Sequence, residues 1–207
     1  MIEELDEYPE EKDLRRRRSG LNFGKQRKKF NVEIFKEVLT WTAQIIGVIL
    51  IAYVCISSFG IRSSVVGQAM SDTLESGEQI LINKITYVFS NPRSGDVVVF
   101  LPNGNEKSHY YIRRVVGVPG EKVQIKDGAL YINGELYEET TVVAAMEEAG
   151  IAETEITLSE DEYFVLGDNR NNSEDSRYAN IGNVKKEYII GKAWFHFGSE
   201  GGMGFIH

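Results

Sequence analysis

Three regimes of hydrophobic and polar spacing divide the chain. From Val38 to Phe59, VLTWTAQIIGVILIAYVCISSF runs 22 residues without a charged side chain. A helix of that length rises about 33 Å, enough for a hydrocarbon core of roughly 30 Å. The pattern predicts one N-terminal transmembrane helix over 38–59, with Thr40, Thr42 and Gln44 weakening its apolarity only slightly. Beyond it come short apolar runs: ILINKITYVF (80–89), DVVVFLP (96–102), YYIRRVVGVPG (110–120), KVQIKDGALYINGELY (122–137) and YFVLGD (163–168). Runs rich in Val, Ile, Tyr and Phe, bounded by Gly, Pro, Asn and Asp, predict strands. Asp127-Gly128 and Asn133-Gly134 predict tight hairpin turns, whose residues must tolerate positive φ. TVVAAMEEAG (141–150) has helical composition and a glycine stop. The expected fold is therefore mainly β, an antiparallel outer domain anchored by one helix, with no internal repeat.

Charge sets the orientation. Met1–Asp13 carries seven acids and one base, whereas Leu14–Phe30 carries eight Lys or Arg and no acid. A basic run beside an apolar span holds its own side in the cytoplasm and attracts anionic lipid. This predicts a cytoplasmic tail over 1–37, acidic then basic. Residues 38–59 become a retained single-pass anchor in the cell membrane, too long and too far from the N-terminus for a cleaved leader. Residues 60–207 are then extracytoplasmic. The outer domain is itself moderately acidic, which argues against a nucleic-acid partner. The single cysteine, Cys55, lies in the apolar run and has no internal disulfide partner.

Four stretches carry candidate chemistry: GQAMSDTL (67–74), RSGDVVVF (93–100), YIRRVVGVPGEKV (111–123) and GDNRNNSEDSR (167–177), the last followed by IIGKAWF (189–195). Singly, each is a turn or a strand. In this order behind one N-terminal span they resemble type I signal peptidases, membrane-anchored serine endopeptidases that remove signal peptides from exported proteins. The family pattern GDNRxNSxDSR is met by Gly167, Asp168, Asn169, Arg170, Asn172, Ser173, Asp175, Ser176 and Arg177. The resemblance covers roughly Lys36 to Phe197.

The resemblance implies a serine nucleophile and a neutral lysine base. The family motif Ser-Met-x-Pro-Thr-Leu falls on Ala69, Met70, Ser71, Asp72, Thr73 and Leu74, and the lysine of YIKRVVGxPGD falls on Arg113. Alanine has no nucleophile. Arginine, with a pKa above about 12, does not deprotonate. Together the two replacements leave no conventional mechanism. Ser71, read as a strand residue, points the same way as Ala69 but about 6–7 Å further along, and it lacks a base. Ser63 and Ser64 read as polar residues at the end of the span. Asp175 and Asp72 are the expected partners of Arg113.

In the resembling family Ser173, Asp175 and Arg177 hold the dyad, and Gly167 leaves room for the base. The loop also has a purely structural reading, with Asn and Asp bonding backbone amides and Arg177 pairing with a carboxylate. The resemblance further implies a groove for an extended substrate strand, walled by Gly67, Gln68, Ala69, Met70 and Ile112. The expected function is a non-cleaving binder, chaperone or assembly factor for exported or surface proteins, such as pilus components. The alternatives are an active type I signal peptidase and a structural membrane protein with a closed groove. No cofactor or metal is expected. Asn169, Asn171, Ser173 and Asp175 alternate as in a calcium loop, but Glu174 stands where that loop needs glycine. His109, His196 and His207 lack ligand spacing; His109 reads as solvated and His196 as a strand residue with a partly buried ring.

Overall fold

A computed structural model describes residues 32–59, 61–139, 144–198 and 202–206. The chain divides into two units, one ending at Ile46 and the other beginning at Gly47. The division falls within helix α1 (Val32–Phe59), which is continuous over 28 residues. It begins six residues before the expected Val38. Glu33 lies in its first turn, where a carboxylate is favourable at the positive end of the helix dipole. The hydroxyls of Thr40 and Thr42 donate back to the Lys36 and Val38 carbonyls at 2.9 and 2.7 Å, so neither presents a free donor on the apolar surface. Val32–Val54 is long and apolar enough to cross a membrane.

The second unit is built on strands β1 (Ile61–Ser64), β2 (Gln79–Asn83), β3 (Val97–Phe100), β4 (Tyr111–Gly117), β5 (Lys122–Lys126), β6 (Ala129–Ile132), β7 (Glu135–Leu136), β8 (Ile156–Thr157), β9 (Glu162–Leu166), β10 (Val184–Lys185), β11 (Ile189–Phe197) and β12 (Met203–Phe205). One sheet runs β1-β2-β11-β3-β4-β9-β10, with β12 also on β11. The other runs β7-β6-β5-β8. Every pairing is antiparallel. Val97–Phe100 is buried along its whole length, which is why VVVF is a continuous apolar run rather than an alternating one. Both predicted hairpin turns form: Asp127-Gly128 has φ of 50° and 76°, and Asn133-Gly134 has 54° and 84°.

The core lies in three buried clusters. Met70, Leu74, Ile80, Ile82, Val97, Val99 and Ile112 pack together on one side. Val98, Phe100, Val115, Tyr163 and Val165 form a second cluster. Val123, Ile125, Leu130, Met146, Leu158 and Phe164 join the smaller sheet to β9 in a third. Strand alternation explains the division, since Val97 and Val99 face the first cluster and Val98 and Phe100 the second.

Four local expectations are corrected. The run 80–89 is one strand only to Asn83, and Thr86–Phe89 forms a short helix, α2. The Asn83 Oδ1 accepts from the Ile85 and Thr86 amides at 3.0 and 3.2 Å, ending the strand and opening the turn. Ser63 and Ser64 belong to β1, paired with Ile80 and Gln79. Residues 67–74 form turns rather than a strand, so strand alternation does not set the direction of Ser71 relative to Ala69. The helix expected over 141–150 is absent from 144–149; residues 141–143 lie outside the described residues. There the backbone is bonded by neighbours: the Met146 amide donates to Gly128 O at 2.9 Å, the Glu147 amide to Asn171 Oδ1 at 3.0 Å, and Asn171 Nδ2 donates to Ala145 O at 3.0 Å. Those bonds seat Met146 in the third cluster.

Replacing Asn83 by alanine frees two amides at the start of α2. The expected loss is about 1 kcal/mol of unfolding free energy, read as a lower denaturant midpoint for the detergent-solubilised chain.

Candidate functional site

One ion pair gathers the four sequence motifs. Arg114, from β4, donates through Nε to Asp168 Oδ1 at 2.8 Å and through Nη2 to Oδ2 at 2.7 Å. Thr73 Oγ1 donates to the same Oδ2 at 2.6 Å, and Arg114 Nη1 donates to Gly95 O at 2.8 Å. Thr73, Gly95, Arg114 and Asp168 each come from a different motif. Both ionic side chains are buried, at 5% and 1% exposure. Sequence reasoning had placed Asp168 in a supporting loop but assigned Arg114 no role; its neighbour Arg113 drew attention as the residue at the base position.

The 167–177 loop is held by a second buried pair. Asp175 Oδ1 accepts from the Arg177 amide at 3.2 Å and from Nε at 2.8 Å. Its Oδ2 accepts from Arg177 Nη2 at 2.9 Å and from the Gly167 amide at 3.1 Å. Arg177 Nη2 also donates to Arg170 O. Arg170 donates through Nε to Gly167 O at 3.0 Å and pairs through Nη1 with Glu139 at 2.6 Å. Within the loop Asp175 and Arg177 pair with each other, whereas Asp168 and Arg170 take partners outside it, Arg114 and Glu139.

Ala69 sits on the turn facing this loop. Its carbonyl accepts from the Asn169 amide at 3.1 Å. Asn169 Nδ2 donates to Ser71 Oγ at 2.9 Å, and Asn172 Nδ2 donates to Gln68 Oε1 at 3.0 Å. Ser71 is exposed. Gly167 has no room for a side chain: a Cβ there would stand 2.1 Å from Ser173 Oγ and 2.6 Å from Ala69 O. That Ser173 hydroxyl is buried and has no hydrogen-bond partner among the described residues.

Arg113 does not pair with either expected carboxylate. Its Nε and Nη2 donate to Glu174 O at 2.9 and 2.6 Å, and Nη1 donates to Ile112 O at 2.7 Å. The guanidinium carbon lies 5.1 Å from the centre of the Tyr111 ring, a cation–π distance. Tyr111 in turn donates to Glu174 Oε2 at 2.8 Å, which raises the Tyr111 pKa above the ordinary phenol value. Asp175 is already engaged by Arg177 and the Gly167 amide, and Asp72 is exposed on the opposite turn. Burial lowers the Arg113 pKa, opposed by Asp175, Tyr111 and Glu174. The group remains a cation, because an arginine starts so far above neutrality.

A cavity of ≈370 Å³ opens between the 65–70 turn and the start of β4, with Gly67, Gln68, Ala69, Met70, Ile112 and Arg113 in its wall. One side of that cavity is a sheet edge. The Val115 amide donates to Asp96 O, and its carbonyl accepts from the Gly95 amide, so both groups face β3. Alternation turns the amide and carbonyl of Ile112 the other way, where β9 pairs with β4 only from Arg114 onward. His109, at the rim, is exposed. His196 lies in β11, away from the cavity wall, with Nδ1 3.2 Å from Glu78 Oε2 and a partly buried ring.

The family model for signal peptidase, peptidase S26, matches residues 38–197. Signal peptidase I of Bacillus amyloliquefaciens is 36% identical over 168 residues, covering 77% of this chain and 88% of that one. The probable signal peptidase I-2 of Synechocystis sp. is 34% identical over 152 residues, covering 69% and 67%. A solved signal peptidase I from Enterococcus faecalis V583 is 30% identical, covers 50% of this chain and 97% of that chain, and superposes with a TM-score of 0.38. The chain therefore belongs to the signal peptidase family, peptidase S26, and is a signal-peptidase-I-like protein with a mainly antiparallel β fold and one N-terminal apolar helix.

Replacing Asp168 by alanine strands the Arg114 guanidinium in a buried site. The expected destabilisation is about 3–5 kcal/mol, measured by thermal or chemical unfolding. Gly167→Ala forces a Cβ against a backbone carbonyl and should cost roughly 1–3 kcal/mol or more. Adding Ser173→Gly should recover only part of that loss, because the Ala69 carbonyl remains in place.

Proposed function

We propose that this chain is a membrane-anchored signal-peptidase-like protein that holds extended segments of exported or surface proteins without cutting them. The observation that carries this reading is the pair of residues at the reacting positions. Ala69 offers no nucleophile. Arg113 offers no base, since its Nε, Nη1 and Nη2 donate to backbone carbonyls and its charge is permanent. Strand binding needs neither group. It needs a backbone edge that no neighbouring strand pairs, which Ile112 supplies beyond the end of β9, and shallow pockets for alternate side chains, which the ≈370 Å³ cavity can provide.

The site residues take roles accordingly. Gly67, Gln68, Ala69, Met70 and Ile112 wall the groove. Asp168, Asp175, Arg170 and Arg177 hold the loop that faces it, with Gly167, Asn169 and Ser173 setting the loop against the Ala69 turn. The tail 1–37 lies in the cytoplasm, its basic half against anionic lipid. Residues 38–59 span the cell membrane, and 60–207 face outward, where exported segments arrive. A role as chaperone or assembly factor, for pili among other surface structures, follows from binding without release of a cut product.

An active signal peptidase I is the second reading, favoured by the names of the relatives at 34% and 36% identity. Incubation of the detergent-solubilised chain with a preprotein separates the two. The expected outcome is a complex with uncleaved preprotein; cleavage by the purified chain overturns the non-cleaving reading. The double substitution Ala69→Ser with Arg113→Lys supplies a hydroxyl and a titratable amine to the same loop. It should yield measurable cleavage whose rate rises with pH as the lysine loses its proton.

A further inference from the structure

Arg113 is a buried cation with no anion at ion-pair distance among the described residues. Among the described residues its guanidinium donates to the Glu174 and Ile112 carbonyls. Those bonds use three of the five N–H groups of a guanidinium, leaving two. Asp175 is already engaged by Arg177 and the Gly167 amide. Glu174, which also lines the groove, has both carboxylate oxygens engaged, one by the Tyr111 hydroxyl and one by the Asn180 amide. The positive charge therefore borders the groove without a carboxylate bonded to it.

The groove beside that charge treats a continuing chain and a terminating one differently. Ile112 offers its edge to an extended backbone, but its carbonyl is already an acceptor for Arg113 Nη1 at 2.7 Å. A strand running on past this point must share that acceptor with a guanidinium. A strand that terminates at this point meets the same guanidinium with a negative charge. Ala69 keeps the adjoining wall small, and the nearby Ser173 hydroxyl is buried without a partner. A guanidinium accepts a carboxylate better than a neutral carbonyl, through shorter charge-assisted bonds.

We propose that Arg113 makes the groove a receptor for the free C-terminal carboxylate of an extended peptide, seated beside Ala69. This rests on the strand-binding reading above and specifies its ligand: a chain terminus rather than an interior segment. Such a terminus is either the natural end of a chain or the new end left where a peptide bond has been hydrolysed elsewhere.

The test uses two fluorescent, N-acetylated eight-residue peptides of alternating alanine and serine. One ends in a free carboxylate and the other in an amide. Each is titrated with the detergent-solubilised full-length chain and followed by anisotropy. The free acid should bind at least tenfold more tightly than the amide, and the ratio should shrink as salt screens the charge. In Arg113→Gln the ratio should fall toward one. Because the acid–amide comparison is made on the unaltered protein, it stands whether or not the variant folds. Equal affinity, or tighter binding of the amide, overturns the carboxylate inference and leaves strand binding in place. A tenfold preference that survives Arg113→Gln also overturns it. Failure of both peptides to bind overturns the strand-binding reading and this inference with it.

Discussion

The buried contact between Asp168 and Arg114 is the constraint on which the rest of the β unit depends. Taking two ions out of water costs several kcal/mol each unless every donor and acceptor is met. Here the carboxylate takes Arg114 through both oxygens and Thr73 through one, while the guanidinium also reaches Gly95. Four segments far apart in the chain therefore cannot move independently without leaving a buried charge unsatisfied. None of these bonds involves residue 69 or the side chain of residue 113. The framework that positions the groove is thus energetically separate from the groups a peptidase would use.

Asp175 repeats the principle inside the loop. It bonds Arg177 two residues away and the Gly167 amide eight residues back, which ties the two ends of 167–177 together. Gly150 is drawn in as well: a Cβ there would meet Arg177 O at 2.2 Å. These local closures explain how the loop keeps its shape opposite Ala69. They also remove the anion that a cation at position 113 would otherwise take, so Arg113 turns to backbone oxygens.

The large features were readable from the residues because they are local or periodic. The Asp127-Gly128 and Asn133-Gly134 turns, the buried VVVF strand and the apolar helix each follow from a few neighbours in sequence. What was missed depends on hydrogen-bond partners, near or distant, that spacing alone does not show. Ile85-Thr86-Tyr87-Val88-Phe89 reads as strand by propensity, yet the Asn83 side chain ends the strand before it. The 144–149 segment reads as helix, yet Gly128 and Asn171 take its backbone bonds. The partner of Arg113 was misread for the same reason: a nearby carboxylate was visible in the sequence, but its prior engagement by Arg177 was not. Arg114 went unnoticed because Asp168, Gly95 and Thr73, to which it donates, come from three other motifs.

The seat of Arg113 also decides which cation this position can hold. A planar guanidinium bridges the Glu174 and Ile112 oxygens at once, and a tetrahedral ammonium on a single stem does not reproduce that bridge. A change to lysine alone would therefore loosen the β4–loop junction. The two basic residues are not interchangeable here, and the mouth of the cavity takes its form from which of them is present.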